Sequence, residues 1–102
     1  MTRKRKIIRR IRRFVRENSL LFTRTENWYV GVTSVIERRK SQHERRFGRE
    51  LVTFQSWQAR SAREAADIEK RFLALGMAGA GGGWNQDSVY VYVYKRRGPY
   101  SR

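Results

Sequence analysis

The chain has 102 residues, 39% hydrophobic and 13% aromatic, enough for one modest core with much of its length left at the surface. Its 24 lysines and arginines against 9 acidic residues give a formal charge of +15, a repulsion best relieved by a polyanion, nucleic acid first and an anionic membrane second. The absence of cysteine excludes disulfides, thiolate metal sites and cysteine nucleophiles. No apolar run approaches the ~20 residues that span a bilayer, and the charged start lacks the uninterrupted apolar stretch of a signal peptide. A cytoplasmic or nucleoid-associated protein is expected, not a secreted one; an organellar transit peptide fits the arginine-rich start by composition only.

Residues 1–17 read as a basic amphipathic helical arm. Ile7, Ile8, Ile11, Phe14 and Val15 form a narrow apolar stripe at helical spacing, and Arg5, Arg9, Arg10, Arg12, Arg13 and Arg16 are among the cations around it. A helix tracking phosphates is favoured over a docked helix with a solvated basic face, since such a face usually mixes signs. A membrane-surface helix is the third reading.

A single domain is expected over 18–95, followed by a basic tail over 96–102. Leu20 to Thr23 and Trp28 to Thr33 are β-branched and aromatic runs joined by Arg24-Thr25-Glu26-Asn27, the pattern of an antiparallel hairpin. Ser34 with Glu37 suggests a capping box for a helix that Gly48 stops near Phe47. On its wheel Arg39 and His43 fall in the apolar arc of Val35, Ile36 and Phe47, whereas Arg38 and Lys40 fall outside. Two inward polar groups need partners or a function.

A strand is expected over Leu51 to Trp57, and a helix from the Ser61/Glu64 capping box to Leu75 and Gly76. Glu69 sits amid this helix's apolar arc, where a carboxylate either pairs with an arginine or holds a metal or a catalytic role. The glycine-rich segment that follows meets neither the P-loop nor the dinucleotide fingerprint, and reads as a helix exit allowing close backbone approach. Val89 to Tyr94 alternate as a half-buried strand, with Tyr90, Tyr92 and Tyr94 on one face. That face either stacks bases or packs under a helix such as the N-terminal one. Lys95, Arg96 and Arg97 add to the basic surface.

The order of these elements, with Tyr29-Val30-Gly31, Arg39 ten residues after the tyrosine, His43, a core-facing Glu69 and Asn85, resembles the GIY-YIG nuclease family over residues 19 to 94. The resemblance implies an α+β domain with a small three-stranded antiparallel sheet flanked by helices, here extended by the basic N-terminal helix. It further implies hydrolysis of DNA or RNA phosphodiesters with one Mg²⁺ or Mn²⁺ held by Glu69. Tyr29 would position water or act as base, Arg39 would bind the scissile phosphate, and His43 would accept a proton or bind a phosphate. An ordinary hydrogen bond from His43 to the sheet edge stands as the alternative. Asn85, with Arg38, Lys40, Lys95, Arg96, Arg97 and the arginines of the arm, would contact the nucleic acid. One departure is plain: the strand corresponding to Gly-Ile-Tyr reads Ser19-Leu20-Leu21-Phe22-Thr23, with neither the glycine nor the tyrosine. A binding module of the same fold without turnover, or a small ribosomal-type RNA-binding protein, are the rival readings.

Overall fold

A computed structural model describes residues 2–20, 23–81 and 85–96. Its elements are α1 (Arg3–Glu17), a 3₁₀ turn (Thr25–Asn27), β1 (Trp28–Thr33), α2 (Ile36–Phe47), β2 (Phe54–Gln58), α3 (Ala62–Ala74) and β3 (Tyr90–Lys95). The fold is α+β: three helices flank one antiparallel sheet of strand order β1-β3-β2. β1 and β2 are joined through α2 and leave a central slot that β3 fills last. No described helix is long and apolar enough to cross a membrane.

Strand alternation divides the core into two layers. Trp28, Val30, Val32, Val91 and Val93 face one way and pack with Ile7, Ile8 and Ile11 of α1 and Ala65, Ile68 and Phe72 of α3. Tyr29, Tyr92, Tyr94 and Phe54 face the other way, in a smaller layer with Ile36 of α2 and Leu51. The register sets Tyr29 opposite Tyr94 and Gly31 opposite Tyr92.

The expected hairpin does not form across the described residues. Leu20 and Thr23 lie in a turn, with the Thr23 N–H donating to the Leu20 carbonyl at 2.9 Å and the Leu20 N–H to Thr23 Oγ1 at 2.9 Å; Leu21 and Phe22 lie outside the described residues. β1 pairs instead with β3, which is buried on both faces rather than half-buried: Val91, Tyr92, Val93 and Tyr94 are all 2% exposed or less. The tyrosine face packs under α2, not under the N-terminal helix. Beyond β1, Ala78 adds a short parallel bridge, the Val30 N–H donating to its carbonyl and its own N–H to that of Trp28, both at 2.9 Å. Gly79 permits this approach, because a Cβ there would lie 2.6 Å from the Val30 carbonyl oxygen.

Helix ends follow local chemistry in part. Ser61 Oγ accepts from the Glu64 N–H at 3.1 Å, and Glu64 Oε1 accepts from the Arg60 N–H at 3.1 Å. At α2 the Ser34 capping box is not made; Val35 is the N-cap, its N–H donating to Thr33 Oγ1 at 3.2 Å. Gly48 closes that helix at φ 68°, a left-handed conformation suited to glycine.

The stripe of α1 is core rather than arm, with Ile11 fully buried. Lys95 Nζ donates to the Asn18 carbonyl at 3.0 Å and Arg3 to the Gln58 carbonyl at 3.1 Å, tying both ends of α1 to the sheet. Ile11→Ala should therefore cost about 2–5 kcal/mol in urea unfolding. A loss below about 0.5 kcal/mol would mean that the helix is not docked.

Candidate functional site around Gly31 and Tyr92

The absence of a side chain at Gly31 shapes this face of the sheet. A Cβ there would run into the Tyr92 ring and hydroxyl, so the glycine lets Tyr92 lie across β1. Tyr29 stacks on Tyr94 at 5.0 Å between centroids and meets the His43 ring edge-on at 4.8 Å. The tyrosines of two neighbouring strands thus share one aromatic layer beneath α2.

His43 projects from α2 into that layer and is 6% exposed. Its Nε2 lies 2.9 Å from the Tyr92 hydroxyl and its Nδ1 2.9 Å from that of Tyr94. A neutral imidazole carries one donor and one acceptor nitrogen, so one tyrosine donates to it and the other accepts from it. Burial first, then Arg39 and Arg46, push the His43 pKa down to about 4, which keeps the ring neutral at neutral pH. Burial, together with Tyr29, raises the pKa of Tyr92 and of Tyr94, so both remain phenols.

Glu69 of α3 is 5% exposed, and burial raises its pKa. Among the described residues it has no hydrogen bond or ion pair, so the arginine pairing open on the sequence is not formed there. It is close enough to Tyr92 to act on it electrostatically, as is Arg39. Arg39 is exposed rather than inward, at the rim of the cluster. The Tyr92 hydroxyl thus bonds to His43 and its ring stacks near Tyr29, while the charges of Arg39 and Glu69 reach it only through space.

The donor set suits one kind of cation. Among the described residues no group of three or more His, Cys, Asp or Glu side chains stands together. Among the described residues no buried side-chain nitrogen or oxygen is left without a partner, so the Glu69 carboxylate oxygens reach the solvent edge although the residue as a whole is buried. A single carboxylate with water and phosphate oxygens is the donor set a hard, largely hydrated Mg²⁺ or Mn²⁺ takes. His43 has both nitrogens engaged with tyrosines and is not placed to ligate it.

The other expected residues are more scattered. Asn85 is exposed in a turn before β3, its Oδ1 accepting from the Asp87 N–H at 2.8 Å. Lys40 is partly buried, 3.6 Å from Glu44 and over the Phe54 ring, while Arg38 is exposed. Arg96 donates to the Glu26 carbonyl at 3.2 Å, and Arg97 lies outside the described residues. Arg5, Arg9, Arg10, Arg12, Arg13 and Arg16 are exposed on α1, on the opposite face of the sheet from His43. Tyr92 and Tyr94 were not singled out as site residues from the sequence. The signal for them was present, because a histidine on an apolar arc needs polar partners and a Val/Tyr strand is the available source.

No family model, curated protein or solved structure matches the chain.

Two predictions follow from this packing. In the folded state His43 resists protonation, so between pH 4 and 6.5 the unfolded chain binds more protons. The stability this confers is present above pH 6.5 and lost as pH falls toward 4; NMR titration of the chain's single histidine should give a midpoint near 4, and a midpoint near 6.5 would contradict the burial. Gly31→Ala should destabilise by about 1–3 kcal/mol, measured by urea denaturation, by forcing Tyr92 off its site.

Proposed function

We propose that the chain hydrolyses nucleic-acid phosphodiester bonds, with a divalent metal held by Glu69, in a GIY-YIG-like arrangement. One observation carries the reading: the hydroxyl of Tyr92 lies against His43 and within electrostatic reach of Glu69, Arg39 and Tyr29. The tyrosine missing from residues 19–23 has a counterpart in Tyr92, which comes to the same sheet from the C-terminal side and lies across Gly31.

The residues divide the work by their chemistry. Arg39, at the rim, donates to non-bridging phosphate oxygens and offsets charge that grows in the transition state. Tyr92 orients the attacking water through its hydroxyl. Neutral His43, hydrogen-bonded to Tyr92, fixes the position of that hydroxyl. Tyr94 holds the second imidazole nitrogen and so fixes which way the ring faces. Tyr29, its ring stacked 6.3 Å from that of Tyr92 between centroids, walls the site. Glu69 would hold the divalent metal, whose chemistry when bound would be Lewis acidity at the phosphate.

A binding module of the same fold without turnover is favoured by a different observation. Both imidazole nitrogens are held by tyrosines, as in a purely structural network.

Incubation of single- and double-stranded DNA and RNA with Mg²⁺ or Mn²⁺ at low salt separates the two. Cleavage is expected, lowered about 10²–10³-fold in Arg39→Ala. Glu69→Gln should abolish cleavage while retaining binding, and should leave thermal stability at neutral pH no lower, since a desolvated charge disappears. Intact substrates under every condition would establish the binding module.

A further inference from the structure

α1 presents a second cationic surface, remote from the centre. Its apolar stripe packs on the sheet face opposite His43, while its flank borders β2, separated from β1 by β3. Between α1 and β2 runs a groove of about 580 Å³, with Lys6, Arg10 and Arg13 on one wall and Gln55, Trp57 and Gln58 on the other. The three cations are exposed and follow one line of the helix at i, i+4 and i+7. Glu17, 3.4 Å from Arg13, is the one acid lining the groove.

We infer that this groove binds the sugar–phosphate backbone of a second nucleic-acid segment, so that one chain bridges two segments, one at each face of the sheet. The inference rests on the proposed reading in requiring the first segment at the Arg39 side. On the α2 side the exposed Arg39 and Arg46 lie within electrostatic reach of His43 and would meet that first segment. The sheet and its two core layers stand between it and the groove. Seven residues of helix at 1.5 Å rise set Lys6 and Arg13 about 10 Å apart, enough to meet about three phosphates of one strand.

Charge alone would also suit an anionic bilayer, but the helix face does not. A surface-bound amphipathic helix inserts its apolar side into the lipid, and here Ile7, Ile8 and Ile11 are 4%, 8% and 0% exposed, already buried in the core. What remains outward is cationic and polar, which matches a phosphodiester backbone.

The test is the stoichiometry of complexes formed with a short DNA duplex in EDTA, so that hydrolysis cannot consume the probe, measured by analytical ultracentrifugation and by capture of a labelled duplex on an immobilised one. Wild-type chain should carry two duplexes per protein. Lys6→Gln/Arg10→Gln/Arg13→Gln, all exposed substitutions, should carry one, capture about tenfold less labelled duplex and lower the magnitude of the salt slope of two-segment binding by about 2–3. One duplex per wild-type chain, two in the triple variant, bridging complexes that hold two protein chains, or tighter binding to anionic phospholipid vesicles than to duplex would each overturn the inference. A chain that bridges but never cuts would remove the hydrolytic reading and leave this one standing. A chain that cuts but carries one segment would do the reverse.

Discussion

The demand that a buried imidazole satisfy both of its nitrogens organises one whole face of this protein. His43 is drawn under α2 by its place on an apolar arc, and once there neither nitrogen can be left without a partner. Tyr92 and Tyr94 meet that demand at 2.9 Å each, which requires β3 to present its tyrosines toward α2 and its valines toward α1 and α3. A one-residue slip of β3 would reverse that assignment. Gly31 is the matching concession on β1, where any side chain would displace the Tyr92 ring. Strand register, helix placement and the position of one hydroxyl are thus consequences of a single hydrogen-bonded bridge.

Chemical capacity arises from the same packing. Burial and two arginines keep His43 neutral, and burial with neighbouring Tyr29 keeps Tyr92 and Tyr94 protonated, so the bridge is an uncharged hydrogen-bonded network. Glu69 is the exception, a desolvated carboxylate without a described cation, close enough to raise the Tyr92 pKa further.

What the sequence disclosed was mostly local. The stripe of α1, the Ser61/Glu64 cap and the Gly48 stop were legible because each rests on periodicity or on one side chain meeting one backbone group. Leu20 to Thr23 misled for the converse reason: β propensity expresses fit to a half-buried surface, and here that surface belongs to a strand seventy residues later. Helix wheels place His43 and Glu69 inward, as they are buried, whereas Arg39, on the same arc as His43, is exposed. The meeting of Tyr92 with His43 depends on sheet order, β3 lying between β1 and β2 although it is last in the chain, which local patterning does not reveal.

The proposal that Glu69 holds a divalent metal within electrostatic reach of Tyr92 is most directly examined by paramagnetic relaxation in solution. Substoichiometric Mn²⁺ should selectively broaden the NMR resonances of Glu69, Gly31 and Tyr92, and the broadening should vanish in Glu69→Gln. Broadening confined to exposed acids such as Glu50 and Asp87, unchanged by that substitution, would contradict it.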